Sequence, residues 1–161
     1  MKRTRIKAKD LQKELITNGY DFKVSKKDAV EILKITSKKD KQIKIVSINN
    51  LPSFFYYNIN NEEVIIPTLK LLQTSQNLLK HITIDMGAIK FVVGGADIMR
   101  PGITKVQEEI ETSQPIGIVD ETHGKSIAVG IALLNSKEMQ TQEKGKSIKN
   151  IHFVGDDIWK I

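Results

Sequence analysis

The stretch DMGAIKFVVGGADIMRPGI, residues 85–103, sets the reading of this chain. Asp85 has the short acceptor side chain of a helix N-cap, and Ala88, Ile89, Phe91 and Val92 give an apolar side to a helix running to Val93. Gly94 and Gly95 end it, because glycine enters the left-handed backbone that closes a helix without a Cβ clash. Ile98 to Ile103 returns to extended structure around Pro101 and Gly102, and the fixed dihedral of Pro101 beside Arg100 launches a strand. The residues alone support two uses of the glycine turn. Exposed amides with Lys90 and Arg100 nearby make a cradle for a backbone phosphate and a splayed base, or the glycines serve only the packing of a small barrel.

Upstream, His81 to Ile84 is a short β-prone piece, and Leu69, Leu71 and Leu72 are the buried side of a short helix with Pro67 in its first turn. Before that, the aromatic run 53–57, the polar turn Asn58 to Glu63 and Val64 to Ile66 read as a hairpin. Alternation puts one pair among Phe54, Phe55, Tyr56 and Tyr57 toward a core and leaves the other pair free to stack. Ile43, Ile45 and Ile48 mark a strand. Ser25 with Asp28 three residues on resembles a capping box, so Ala29, Val30 and Leu33 are expected on a second helix. A first helix follows Asp10, with Leu11, Leu15 and Ile16 apolar and Gly19 beyond its end.

Downstream, Ile116 to Val119 and Ser126 to Leu134 are expected as two strands joined by a Glu-Thr-His-Gly turn, and Ser136 starts a polar helix ending at Gly145. Ile148 to Ile161 reads as a terminal strand pair with Trp159 buried. The boundary between two packed halves falls near residues 75–82.

The chain has 161 residues, no Cys and a formal net charge of +6. Disulfides, thiolate metal sites and cysteine nucleophiles are thereby excluded. No apolar run approaches the roughly 18 residues of a membrane span, and no apolar stretch follows the basic N-terminus as in a secretion signal. A cytoplasmic setting without a membrane partner is expected. The charge is uneven: residues 1–50 hold 14 basic and 6 acidic side chains, a balance of +8, whereas residues 81–161 hold 9 and 11. Such a segment is a solvated lysine surface or a face that gathers nucleic-acid phosphates, and composition favours neither.

Catalytic and cofactor motifs are missing. Gly124, Lys125 and Ser126 end a phosphate-loop pattern, but Val119 stands where its first glycine belongs, and two strand patterns flank the site instead of a strand and a helix. His81, His123 and His152 lack metal-ligand spacing, and adjacent Asp156 and Asp157 would point to opposite faces of a strand. No nucleophile elbow or dinucleotide fingerprint occurs. No metal, no cofactor and no catalysis are expected.

Residues 85–103, together with IPTLKLL at 66–72 and NIHFVGDDIWK at 150–160, resemble the PUA domain and, more narrowly, the family of the malignant T-cell amplified sequence protein, ligatin and the archaeal stand-alone pre-PUA/PUA proteins. The resemblance covers roughly the last 100 residues; the first fifty match only as a basic segment. It implies an α+β fold, with a small α/β pre-PUA domain over 1–78 followed by a PUA pseudo-barrel over 79–161. It also implies non-catalytic RNA binding in translation, through the CCA end of tRNA and the RNA of the small ribosomal subunit, during initiation, reinitiation or recycling. Lys90, Gly94, Gly95, Ala96, Arg100 and Lys105 would be its RNA-contacting residues. The eukaryotic relatives work with density-regulated protein, so a translation-factor partner is also implied. A different role for the same fold is that of an RNA-targeting accessory subunit to a tRNA or rRNA modification enzyme, and a third is an adaptor whose basic face meets an acidic protein.

Overall fold

A computed structural model describes the whole chain, Met1–Ile161. Its first half is a five-stranded antiparallel sheet in sequence order: β1 (Lys2–Ile6), β2 (Val30–Thr36), β3 (Gln42–Ile48), β4 (Leu51–Ile59) and β5 (Glu62–Pro67), with α1 (Ala8–Thr17) after β1. Both two-residue hairpins on β4 are Asn-Asn, Asn49–Asn50 and Asn60–Asn61, and all four asparagines have positive φ. That is the backbone a tight hairpin demands, and asparagine tolerates it better than other side chains. α1 lays Ala8, Leu11 and Leu15 on one face of the sheet, against Val30, Val46 and Phe54.

The alternate residues of the same strands point the other way. Leu33, Ile45, Phe55 and Ile66 join Leu69 and Leu72 of α2 (Leu69–Leu72) and Val129, Ile131 and Ile158 from the second half. The first sheet is thus covered on both faces. Phe54 and Phe55 are both fully buried, in different cores, and Tyr56 and Tyr57 are half-buried, so neither pair is left free as alternation suggested.

Three expectations for this half are corrected. The second helix is absent: Val30 and Leu33 lie in β2, between β1 and β3, where seven residues of alternating side chains find two hydrogen-bonded neighbours. The Ser25–Asp28 spacing closes a local turn instead, the Asp28 carboxylate accepting from the Ser25 N–H at 2.8 Å and from the Asn49 side chain at 3.0 Å. α1 begins after Lys7, with Asp10 inside its first turn and Ile16 exposed. Pro67 ends β5, and Thr68 caps α2.

The second half holds a six-stranded sheet: β6 (His81–Ile84), β7 (Ile98–Met99), β8 (Ile103–Val106), β9 (Pro115–Asp120), β10 (Ser126–Ala132) and β11 (Lys146–Phe153), in the order β7-β11-β10-β9-β6-β8. The two outermost strands are consecutive in the chain, joined by a single 3-10 turn, Arg100–Gly102, so the sheet curls back on itself as the expected pseudo-barrel. α3 (Met86–Val92) and α4 (Ser136–Thr141) close its ends through Val92 and Met139 on an isoleucine-rich core that includes Ile82, Ile84, Ile118 and Ile148. Gly130 lies at the register shift between β10 and β11, where a Cβ would stand 2.4 Å from the Ile148 side chain and 2.7 Å from the Lys149 carbonyl.

The expected terminal strand pair is one strand, β11, followed by turns. Asp156 organises them: its carboxylate accepts from the Phe153 and Trp159 N–H groups, each at 2.9 Å, and from His152 Nδ1 at 2.8 Å. His152 is fully buried, and its Nε2 accepts the Leu69 N–H of α2 at 3.1 Å, which fixes a neutral ring with the proton on Nδ1. This relay ties the two halves together. Trp159 is half-buried outside any strand, with Lys70 Nζ 5.7 Å from its ring centroid.

Candidate nucleic-acid interface

α3 follows β6 directly because the Asp85 side chain accepts the Ala88 N–H at 2.8 Å, and the Asp85 N–H donates to the Gly102 carbonyl at 2.9 Å. The cap and the 3-10 turn are thereby locked side by side. The inward face of α3 is Ala88, Ile89 and Val92. Phe91, one residue and about 100° round the helix from Val92, faces out and is 61% exposed. It is the only exposed aromatic in the chain. Beside it a cavity of about 430 Å³ is lined by Asp85, Ala88, Phe91, Ala96, Met99 and Pro101 among others. Met99 and Met86 are also exposed at this end of the barrel. Folding gains little from Phe91 and Met99 held in water at a cleft, with Met86 exposed on the same helix as Phe91, and such a surface marks a binding site.

The glycine turn is built differently from a phosphate cradle. The N–H groups of Gly94 and Ala96 donate to the Phe91 carbonyl and that of Gly95 to the Val92 carbonyl, so all three amides close the helix C-terminus. Gly95 has φ +96° and packs on the Phe153 ring, where a Cβ would come within 3.2 Å. Asn150 of β11 fastens the turn: its side-chain amide donates to the Val92 carbonyl at 2.9 Å and the Ala96 carbonyl at 3.0 Å, leaving its oxygen buried with no partner. Asp97 holds the next residues by accepting the Asn150 N–H at 3.0 Å and pairing with Lys146 at 3.1 Å. Desolvation alone would raise the Asp97 carboxyl, but these two partners outweigh it and keep the group below its ordinary range.

Of the residues the sequence nominated, Lys90 is exposed on α3 with Nζ 5.1 Å from the Phe91 ring centroid. Ala96 lines the α3 cleft, and Gly94 and Gly95 line a second groove between the two sheets. The Arg100 guanidinium is engaged by the protein itself, Nε donating to the Met139 carbonyl and Nη1 to the Ile103 carbonyl at 3.0 Å, so it shapes the wall of the cleft. Lys105 is exposed on β8, an edge strand, and lines neither groove. Sequence reasoning missed Phe91 as an outward residue, although the phase of Ala88, Ile89 and Val92 already placed it off the buried side. It also missed Asn150, whose partners lie more than fifty residues away.

The rejected motifs are structural. Gly124 and Lys125 lie in the β9–β10 turn, whose N–H groups at His123 and Lys125 donate to the buried Asp120 carboxylate. Burial would raise that carboxyl, and these donors hold it below its ordinary range instead. No group of three or more His, Cys, Asp or Glu side chains is placed to hold a metal ion.

Residues 80–154 match the PUA domain family, a span that contains the whole of the α3 cleft. An uncharacterised protein of Methanocaldococcus jannaschii is 41% identical over 163 residues, covering 98% of this chain and 95% of that protein. Translation machinery-associated protein 20 of Schizosaccharomyces pombe is 31% identical, covering 74% of this chain and 73% of that protein. Malignant T-cell-amplified sequence 1 of Rattus norvegicus is 32% identical, covering 83% and 71%. The crystal structure of a hypothetical protein from Pyrococcus horikoshii matches with a TM-score of 0.78 at 26% identity, over 99% of this chain and 98% of that one.

Proposed function

Because this chain belongs to the PUA-domain family of the malignant T-cell-amplified sequence and translation machinery-associated proteins, we propose that it is a non-catalytic RNA-binding protein of translation that seats the single-stranded CCA end of a tRNA in the α3 cleft. The observation that carries this reading is the exposed Phe91 ring at the rim of an apolar cleft, with the Lys90 ammonium beside it. An unpaired base stacks on an exposed ring, and a cation at its edge meets the adjoining phosphate. The closed amides of Gly94, Gly95 and Ala96 leave the phosphates to side chains. Arg100 keeps the cleft in shape, and Lys105 adds charge on the adjoining edge.

The division of labour follows the charge. Residues 79–161 act as the PUA unit that reads the RNA end, and residues 1–78 as a pre-PUA unit whose lysines hold tRNA or small-subunit rRNA phosphates, giving salt-sensitive affinity. The setting is the cytoplasm, at the small ribosomal subunit during initiation, reinitiation or recycling, with a translation-factor partner. Fluorescence anisotropy with one deacylated tRNA, intact or lacking its CCA end, tests this reading. A clear loss of affinity without CCA is expected, and equal binding of the two tRNAs would overturn it.

A further inference from the structure

The groove between the two sheets has a composition unlike any other large cavity of the molecule. Its volume is about 510 Å³, and its walls are the β2–β3 loop with Lys39 and Lys41, Tyr57 of β4, the Gly94–Gly95 turn, and Lys149 and Phe153 of β11. Three lysines line it, and no carboxylate does. The cavity beside α4, by contrast, is lined by Glu108, Glu109 and Glu111, while the one next to the groove shares Lys39 and Lys41 with it and adds Asp156 and Asp157, whose carboxylates accept backbone N–H groups. None of Lys39, Lys41 and Lys149 belongs to an ion pair. Asp97 feels the charge of Lys149 but is paired to Lys146, and Asp40 lies at the loop tip outside the groove.

The loop that carries two of these lysines is fastened to the opposite half, because the Lys38 N–H donates to the Asp157 carboxylate at 3.1 Å. Lys149 reaches across from β11 to stand 6.0 Å from the Tyr57 ring centroid. Three like charges lining one concave site raise the local concentration of polyanions there, and a phosphodiester backbone complements them. The groove also shares a border with the α3 cleft: the segment Gly94–Ala96 has its glycines in the groove and its alanine in the cleft.

We propose that this groove is a second RNA site, which carries the phosphodiester backbone of the nucleotides that precede the end seated on α3, with Lys39, Lys41 and Lys149 as its phosphate contacts. The strand passes the Gly94–Gly95 turn, which borders both sites, and continues between the sheets. Both halves of the protein then hold one RNA strand. The site rests on the RNA-binding reading above, and it predicts a length dependence that the α3 cleft alone would not produce.

The test compares single-stranded RNAs of three and eight nucleotides with the same 3′ end, by anisotropy over a salt series, on the full chain. The eight-nucleotide RNA binds the wild type more tightly and with a steeper salt slope. Combined Lys39→Gln, Lys41→Gln and Lys149→Gln lowers that slope by about 2, at roughly 0.7 per phosphate contact on a single strand, and leaves three-nucleotide binding unchanged. A control with the same charge loss, Lys125→Gln, Lys137→Gln and Lys144→Gln, leaves the slope within half a unit of wild type. An unchanged slope in the groove variant, or an equal fall in the control, overturns the groove site while the α3 reading stands. Binding of a glutamate octapeptide as tight as that of the octanucleotide overturns it in favour of an acidic protein segment. Failure of the wild type to bind either RNA overturns both readings. Thermal melting of each variant confirms that it is folded, and the substituted lysines are exposed side chains.

Discussion

Phe91 separates binding from folding more cleanly than any other residue of the site. Burying a phenylalanine completely is worth about 1.5–3 kcal/mol. With 61% of Phe91 still exposed, Phe91→Ala gives up less than half of that, about 1 kcal/mol at most, or a fall in Tm of no more than about 4 °C for a chain of this size. If a base stacks on the ring, the same substitution removes about 1–3 kcal/mol of binding, which weakens the Kd for a CCA-ended RNA about 5- to 150-fold. Phe91→Trp preserves a stacking face and restores most of the affinity. Anisotropy titration beside a thermal melt reads both quantities on the same samples. A Phe91→Ala protein that binds within twofold of wild type would refute the reasoning. So would a collapse in Tm, because the ring would then be part of the core.

Three further outcomes follow from the packing. Asp156→Asn removes the carboxylate that accepts three hydrogen bonds in the C-terminal turn, at a cost of about 2 kcal/mol at neutral pH by urea denaturation. Desolvation would raise the Asp156 carboxyl, but His152 and the two backbone donors hold it below its ordinary range. Its contribution is therefore complete above the unfolded value of about 4 and lost as pH falls through the lower folded value, so the variant shows a flatter stability curve below about pH 4; an unchanged acid limb would contradict this. Asn150→Ala frees the Val92 and Ala96 carbonyls from β11, and faster hydrogen exchange at Gly94, Gly95 and Ala96 with weaker RNA binding is expected, whereas unchanged exchange would remove Asn150 as the fastener of the turn. Gly130→Ala drives a Cβ to 2.7 Å from the Lys149 carbonyl, a backbone atom that cannot swing aside, so a loss of about 2 kcal/mol or more in denaturant unfolding is expected.

The parts of this fold written in local chemistry were legible. Asp85 caps α3 as its side chain suggests, the polar turn Asn58 to Glu63 closes the β4–β5 hairpin, and the β9–β10 pair was marked by two apolar runs around a polar turn. The parts decided by distant residues were not. Ser25 and Asp28 have the spacing of a capping box, but β1 and β3 claim Val30 to Thr36 as a central strand, and pairing on both edges outweighs a single cap. The aromatics 54–57 looked divisible into an inner and an outer pair because the sequence does not reveal that β4 is covered by α1 on one side and by β10 on the other. For the site, the 85–103 motif nominated the glycine turn and Lys90. It could not show that the turn's amides are satisfied within the helix end, nor that Lys149 lines one groove with Lys39 and Lys41, more than a hundred residues away.

The central claim is that an RNA end lies against Phe91 in the α3 cleft. NMR of the labelled protein with the trinucleotide CCA addresses it most directly. The account predicts intermolecular NOEs from base protons to the Phe91 ring and the Met99 methyl group, with shift changes running from Ala88 to Met99. Shift changes confined to the lysines of residues 1–50, with α3 unaffected, would contradict it.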